Sequence, residues 1–257
     1  MLRPLILGFA ALAPLLAALT WSASVALAVA VIALAHAALM LPMFLPRLGG
    51  LGPVCTRFNA AAREVWLTID DGPDPADTPA ILDLLDRHGA RATFFVKGEL
   101  AERHPELLAA IVARGHTLGN HTHTHPAASF WCISPARLDR ELAACNAAIA
   151  RVTGEAPRLF RAPVGIKSPF LHPRLDRLGM RLVAWSARGF DGVAGFDPER
   201  VVARLLRRLA PGSILVVHQG IRGADGRPQS PRGLERVLGA LRERGYTCTI
   251  PALEALR

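Results

Sequence analysis

The sequence predicts an α/β domain built on a parallel sheet, because strand-like and helix-like segments alternate along most of the chain. Apolar runs such as residues 65–69, 92–96 and 213–217 are typical of buried strands. Segments such as residues 78–88 and 135–152 lie between such runs and carry helix signals. This alternation fits an open sheet and also a sheet closed into a barrel.

The strands are predicted from short apolar or β-branched runs bounded by Gly, Pro or polar residues. They comprise residues 65–69, 92–96, 117–120, 158–161, 181–185, 213–217 and 246–250.

The helices are predicted from their end signals and, for the longest, from an apolar stripe. Thr78 can cap the first, Gly89 and Gly115 end the first two, and Asp197 can cap the fourth. The five predicted helices comprise residues 78–88, 105–114, 135–152, 197–209 and 233–244.

The first part of the chain is predicted to be a membrane region. Residues 4–46 contain no Asp, Glu, Lys or Arg, and a span needs about 20 apolar residues, so this run suffices for two spans. Trp21 is expected at headgroup level in the hairpin tip. A signal peptide is the alternative, but the run is long for one. We therefore predict a membrane region over 1–46, a linker over 47–62 and a soluble domain over 63–257.

Two spans would return the chain to its starting side of the membrane. Only Arg3 precedes the first span, whereas three arginines soon follow the second: Arg47, Arg57 and Arg63. The positive-inside rule then places the domain in the cytoplasm, in a multi-pass protein of a bacterial-type inner (plasma) membrane. A single span would place the domain outside.

The net charge is +9 and is carried almost entirely by arginine. A composition bias towards Ala and Arg explains this charge as well as a preference for anionic membrane lipid does. No basic helix or aromatic-and-basic sheet pattern is present, so nucleic acid is not an expected partner. The four cysteines form no Cys-x-x-Cys pair, which argues against a zinc knuckle or redox motif.

The first candidate site lies where the strand 65–69 ends. Two adjacent carboxylates, Asp70 and Asp71, follow the strand, and Gly72-Pro73 then turns the chain. Active sites of α/β proteins are usually built at such strand ends. One carboxylate could hold a metal while the other accepts a proton; the alternative is an ordinary surface turn.

The second candidate site is a histidine-rich segment after the strand 117–120. His121 and His125 are four residues apart and would face one point from a single helical turn, whereas His123 would point away. Two imidazoles and one carboxylate are the usual protein ligands of a hydrolytic zinc site that keeps a position for water. Asp71 is the obvious carboxylate, and a His-rich surface loop is the alternative.

Together the two segments resemble the NodB-type polysaccharide deacetylases, carbohydrate esterase family 4. The family pattern Thr-Phe-Asp-Asp-Gly-Pro reads here Thr68-Ile69-Asp70-Asp71-Gly72-Pro73, and His-Ser/Thr-x-x-His reads His121-Thr122-His123-Thr124-His125. The similarity extends over residues 65–250. It implies a distorted (β/α) barrel of fewer than eight units, which seven predicted strands fit.

The resemblance implies a role for each matching residue in these two motifs. Asp70 matches the catalytic base, and Thr122 matches the residue that supports the histidine loop. The ligands of one divalent metal, Zn²⁺ with Co²⁺ or Mn²⁺ as alternatives, are matched by Asp71, His121 and His125.

Three later motifs also match, with departures. In Arg161-Ala162-Pro163-Val164-Gly165 the resemblance implies that Arg161 orients the base. Val164 replaces the usual aromatic residue, and its N–H could serve as an oxyanion donor. Of the two acids and the Trp that the family's fourth motif usually holds, residues 185–192 keep only Asp191. The resemblance implies that Asp191 tunes the general acid. Arg188 stands where an acid is common. His218, after the strand 213–217, matches the general acid.

The expected function is metal-dependent hydrolysis of the N-acyl (acetyl) group of an amino sugar in a glycan, an oligosaccharide or a lipid-linked sugar. The membrane region and the altered aromatic positions favour a short or lipid-linked substrate. A deformylase or O-deacetylase would use the same residues. A non-catalytic, membrane-anchored glycan-binding protein of the same fold is the alternative from another class. The sequence indicates no oligomeric state.

Overall fold

The computed structural model describes residues 2–257 and begins with two apolar helices. Helices α1 (Arg3–Trp21) and α2 (Val25–Phe44) pack against each other. Each is long and apolar enough to cross a membrane, and each lies near the amino terminus. The pair therefore fits a membrane anchor or a signal sequence.

Within residues 2–257, eight parallel strands form one sheet. They are β1 (Glu64–Asp70), β2 (Ala92–Val96), β3 (Thr117–Asn120), β4 (Leu159–Phe160), β5 (Arg181–Leu182), β6 (Ala187–Arg188), β7 (Ser213–His218) and β8 (Thr247–Cys248). The order across the sheet is β5-β4-β3-β2-β1-β7-β6, and β8 pairs with β1. All seven predicted strands are present, and β6 is an addition.

The helices of the domain connect these strands. They are α3 (Thr78–Arg87), α4 (Gly98–Arg103), α5 (Pro105–Ala113), α6 (Pro135–Thr153), α7 (Leu171–Arg177), α8 (Pro198–Arg207) and α9 (Ser230–Glu243). Three short 3₁₀ segments, Ala127–Cys132, Pro163–Gly165 and Leu253–Ala255, complete the structure. The five predicted helices are confirmed. Helices α4 and α7 were missed, because six or seven residues are too few to establish a helical period.

The sheet must curl, because its two edges are close neighbours in the chain. Strands β5 and β6 lie at opposite ends of the seven-strand path, yet only residues 183–186 connect them. Seven strands laid flat would separate the edges by about 29 Å. The connection can span no more than about 18 Å. Within this connection, Val183 forms a parallel bridge with Cys55. The sheet is therefore curled, and the predicted distorted barrel is confirmed.

Strand β1 lies between β2 and β7 in the middle of the sheet and positions the site. Residues Val65–Asp70 are all buried, and the Trp66 indole N–H donates to Thr93 Oγ1 at 2.8 Å. At the carboxyl end, Asp70 lies opposite Phe95 on one side and His218 on the other. Parallel pairing thus brings the ends of β1, β3, β4 and β7 to one rim of the barrel.

The segment between the apolar helices and β1 is in contact with the domain. Leu51 and Phe58 are almost fully buried, and Phe58 forms an antiparallel bridge with Leu256. The predicted linker, residues 47–62, therefore packs along the barrel over part of its length.

The apolar helices meet the domain on the face that carries the strand carboxyl ends. The Lys167 N–H donates to Met43 O at 2.8 Å, and Lys167 Nζ donates to Leu45 O at 2.7 Å. The rings of Phe44 and Trp131 lie 6.1 Å apart. Lys167 and Trp131 belong to loops that follow β4 and β3, so the end of α2 rests beside the rim described above.

Candidate metal centre and active site

Unusual backbone conformations are concentrated at this rim. Within residues 2–257, five residues other than glycine have positive φ: Asp71, Thr122, His125, Val164 and Phe190. Four of them line one cavity of about 300 Å³, and Thr122 lies beside it. A positive φ costs a non-glycine residue energy and is found most often where geometry serves function. The backbone thus marks the same site as the sequence motifs.

Three potential metal ligands converge in the cavity. One ligand atom from each of Asp71, His121 and His125 lies within 4.8 Å of the others. Asp71 Oδ1 lies 3.8 Å from His121 Nε2 and 3.5 Å from His125 Nε2. This oxygen is buried and has no hydrogen-bond partner among the described residues. A buried carboxylate oxygen without a partner, facing two imidazole nitrogens, fits a divalent cation.

The protonation of the cluster also suits a metal. His121 Nδ1 lies 2.8 Å from the carbonyl oxygen of Arg161, so this nitrogen donates and leaves Nε2 free to bind. Burial, with His121 nearby, lowers the pKa of His125 from 6.5 to about 4. Burial raises the pKa of Asp71, but the surrounding histidines and Lys97 outweigh it, so this pKa is lowered overall. At neutral pH His125 is therefore a neutral imidazole and Asp71 is a carboxylate.

The histidine loop is held by buried side chains and is not a helical turn. Thr122 has φ +66° and His125 φ +54°, so the predicted turn of helix is wrong. The Thr122 N–H donates to Asn120 Oδ1 at 2.7 Å, and the His125 N–H donates to Thr122 Oγ1 at 3.1 Å. Glu141 Oε2 accepts from the N–H groups of residues 123 and 124. The loop geometry aims both imidazoles at Asp71.

Asn120 and Glu141 were not predicted from the sequence as residues that support the site. A weak signal was available, since Glu141 lies beside the apolar stripe of α6, next to Leu142, and is buried. A carboxylate on a buried helix face needs a partner.

Asp70 forms a buried ion pair behind the three candidate metal ligands. Its Oδ1 lies 2.7 Å from Arg161 Nη1, and the two side chains are 3% and 1% exposed. Arg161 also donates to Thr68 Oγ1 and to the carbonyl oxygens of Val183 and Ala184. Its guanidinium carbon lies 4.2 Å from the centre of the Phe95 ring. Arg161 therefore fixes the orientation of Asp70.

His218 forms a second pair on the other side of the cavity. Its Nδ1 lies 3.0 Å from Asp191 Oδ1, and its backbone N–H donates to Asp191 Oδ2 at 2.8 Å. Burial lowers the pKa of His218, but the charge and hydrogen bond of Asp191, with Asp70 and Asp71, raise it overall from 6.5 to about 9. His218 is therefore protonated at neutral pH.

All nine residues predicted for the site lie in or directly behind the cavity. The residues that line it are Asp70, Asp71, His121, His125, Val164 and His218. Those behind it are Thr122, Arg161 and Asp191, which contact the lining residues. Their chemical roles stay predictions.

Among the residues in or beside the cavity, Lys97, Trp185 and Phe190 were not predicted as site residues. Lys97 Nζ lies 4.0 Å from Asp71 Oδ1. Trp185 and Phe190 place aromatic rings on the cavity wall, although Val164 lacks one. The Arg188 guanidinium lies 3.8 Å from the centre of the Phe190 ring. Lys97 and Phe190 carry no local sequence signal, because only the tertiary fold brings them to the site.

Known proteins that are similar to this chain in sequence or in structure include deacetylases. The polysaccharide deacetylase family matches residues 58–183. A chitooligosaccharide deacetylase of Bradyrhizobium sp. is 36% identical over 197 residues, which cover 73% of this chain and 88% of that protein. A peptidoglycan-N-acetylglucosamine deacetylase of Bacillus cereus is 33% identical over 184 residues, covering 71% and 83%. The crystal structure of the Bc1960 peptidoglycan N-acetylglucosamine deacetylase superimposes with a TM-score of 0.66 at 28% identity, covering 76% of this chain and 89% of that one.

The pair of His218 and Asp191 can be tested by titration. We expect Asp191→Asn to lower the pKa of His218 from about 9 towards 6.5, because the nearest negative charge is removed. The measurement is an NMR titration of the imidazole C–H signals in the metal-free protein. His116, buried elsewhere with a pKa lowered to about 4 by burial, should not change and reports an intact fold. An unchanged His218 titration would contradict the assignment.

Proposed function

This chain belongs to the NodB-type polysaccharide deacetylases, carbohydrate esterase family 4, and we propose that it removes the N-acetyl group from an amino sugar of a glycan by metal-dependent hydrolysis. The observation that carries the proposal is the arrangement around one cavity. Three candidate metal ligands lie there with a carboxylate fixed by Arg161 and an imidazolium fixed by Asp191. Metal-dependent hydrolysis of an amide uses a metal site, a general base and a general acid together.

The ligands we propose for one divalent ion are Asp71, His121 and His125. Zn²⁺ suits two imidazoles and a carboxylate best, and Co²⁺ or Mn²⁺ can use the same donors. When bound, the ion supplies Lewis-acid polarisation of the acyl carbonyl and lowers the pKa of water.

Asp70 is proposed as the general base. Its carboxylate lies 4.0 Å from His121 Nε2, so it borders the position where water would attack. Because Arg161 occupies Asp70 Oδ1, the other oxygen, Oδ2, is the one that faces the cluster and accepts the proton. Arg161 acts through Asp70 and is a positioning residue.

His218 is proposed as the general acid, and Val164 as an oxyanion donor. His218 is protonated at neutral pH and lines the same cavity, so it can donate to the leaving amine. Val164 lies at the cavity wall with φ +49°, in the loop after Arg161. Its backbone N–H is proposed to donate to the oxygen that becomes negative in the transition state.

The substrate is proposed to be a short or lipid-linked N-acylated sugar reached at the membrane surface. This is supported by the docking of α2 beside the rim, through Lys167. Membrane lipid is thus a proposed partner. A deformylase or O-deacetylase activity would use the same residues. A purely glycan-binding protein would have no need for both the base and the acid.

We further propose that residues 1–46 form a two-span anchor in a bacterial-type inner membrane, that residues 47–62 connect it to the catalytic domain, and that the domain, residues 63–257, faces the cytoplasm. The support is the absence of charge in residues 4–46 and the arginines that follow α2. Protease should then degrade the domain in inverted vesicles and spare it in right-side-out spheroplasts. The reverse pattern would place the domain outside.

The reaction is tested by acetate release from an N-acetylated chitooligosaccharide, using the full-length protein in neutral detergent. We expect release that a chelator stops and added zinc or cobalt restores. Asp70→Asn should lower turnover about 10²–10⁴-fold with metal still bound, because only the base is lost. His121→Ala should lose the metal itself.

Asp225→Asn is the matched control for Asp70→Asn, because Asp225 is an exposed aspartate away from the cavity. It should retain full turnover. Full activity in Asp70→Asn would refute the assignment of the base. A protein that binds glycan with unchanged affinity after chelation, and releases no acetate from any N-acetylated sugar, would be a binding protein instead.

A further inference from the structure

A second cavity, of about 320 Å³, opens directly beside the catalytic one. Trp185, Arg188 and Phe190 line both cavities, so the two cavities are adjacent and share part of their walls. The second cavity is surrounded by five arginines, which we call the arginine pocket: Arg47, Arg188, Arg204, Arg207 and Arg208.

The charge of the arginine pocket is uncompensated, unlike that of many other arginines on this surface. Arg114, Arg174 and Arg222 each lie within 3 Å of an aspartate oxygen. Among the described residues, by contrast, no arginine of the pocket forms an ion pair with a carboxylate. Arg204 donates to the Gly189 carbonyl oxygen, and burial lowers the pKa of Arg188 with no acid opposing it. Five arginines that line one cavity, with no carboxylate of residues 2–257 paired to any of them, favour an anionic ligand.

Neither composition nor helix chemistry explains the grouping. Arginines in the last turn of α8 are favourable to the helix dipole, which accounts for Arg204 and Arg207. Arg47, however, follows the apolar helix α2, and Arg188 belongs to β6. A general excess of arginine would not bring residues from three elements around one cavity.

The position of the pocket adds a second constraint. Arg47 lies three residues after the end of α2, so the pocket lies at the junction of the apolar helices and the domain. Exposed apolar side chains surround the neighbouring catalytic cavity on the same face, namely Val164, Phe190 and Val193. A group in the arginine pocket would thus have the catalytic cavity on one side and the membrane-spanning helices on the other.

We propose that the arginine pocket binds the phosphate group of a lipid-phosphate-linked N-acylated sugar, with the sugar in the catalytic cavity and the lipid chain towards the bilayer. The proposal rests on the proposed function, because it names the substrate class of the same site. Guanidinium groups bind phosphate oxygens through paired N–H donors. Arg188 lines both cavities and is placed to contact the bond between the phosphate and the sugar.

The test compares two synthetic substrates with the metal-loaded, full-length protein in neutral detergent. In one, N-acetylglucosamine is joined to a dodecyl chain through a phosphodiester; in the other, it is joined directly as a glycoside. We expect kcat/KM to favour the phosphodiester. In the double variant Arg207→Gln/Arg208→Gln the ratio of the two kcat/KM values should fall at least about tenfold, because two charged donors are lost.

Arg200→Gln is the matched control, since Arg200 lies on the same helix but pairs with Asp197 and does not line the pocket. Its substrate ratio should equal that of the unmodified protein. The proposal is overturned if the unmodified protein does not prefer the phosphodiester, or if the double variant retains the preference.

Binding of dodecyl phosphate to the metal-free protein, measured by calorimetry, separates this proposal from the function on which it rests. Binding that the double variant loses supports the pocket even if neither substrate releases acetate, and in that case the proposed deacetylation alone fails. Equal binding in both proteins overturns the pocket. Competition by phosphatidylglycerol at the same concentration as dodecyl phosphate would also overturn it, because the arginines would then be a general surface for anionic lipid.

Discussion

The buried ion pair between Arg161 and Asp70 is the interaction on which the rest of the site depends. Burying a guanidinium costs several kcal/mol unless its donors are satisfied, and here they bond to Asp70, Thr68 and the carbonyls of residues 183 and 184. These bonds tie the end of β4 to β1 and to the short connection that curls the sheet. The carbonyl oxygen of Arg161 also accepts from His121 Nδ1. One residue therefore orients the proposed base through its side chain and a proposed metal ligand through its backbone.

The rigid sheet allows the loops above it to hold strained geometry. A residue in a sparsely populated backbone region costs about 1–3 kcal/mol, and the five such residues outside glycine in the described chain all lie at this rim. Hydrogen bonds from Asn120 and Glu141 offset part of this cost in the histidine loop. The same organisation places the apolar helices, the arginine pocket and the catalytic cavity on a single face. The proposed catalysis, substrate recognition and membrane attachment all fall at the carboxyl ends of the strands.

Much of the fold and of the candidate site could be predicted from sequence. The strands are strongly apolar, and Asp70-Asp71 and the histidines each follow a strand directly. The family resemblance supplied Thr122, Arg161, Val164, Asp191 and His218, whereas local patterns predicted seven strands, five helices and the site residues Asp70, Asp71, His121 and His125. They did not predict β6, α4 or α7, which are too short to show a period. They suggested a helical turn for residues 121–125, whereas two buried acceptors impose a different loop: Asn120 at the end of β3 and Glu141 in α6. Phe190 and the arginine pocket depend on contacts between distant segments, so no local pattern could reveal them.

The most direct test of this account is to locate the metal. Crystals of the zinc-loaded protein, measured on both sides of the zinc absorption edge, should give one anomalous peak in the cavity. The account predicts an ion about 2.0–2.2 Å from Asp71 Oδ1, His121 Nε2 and His125 Nε2, with Asp70 held by Arg161 beside it. A zinc ion bound elsewhere, or bound through His123 in place of His121 or His125, would contradict the proposed site.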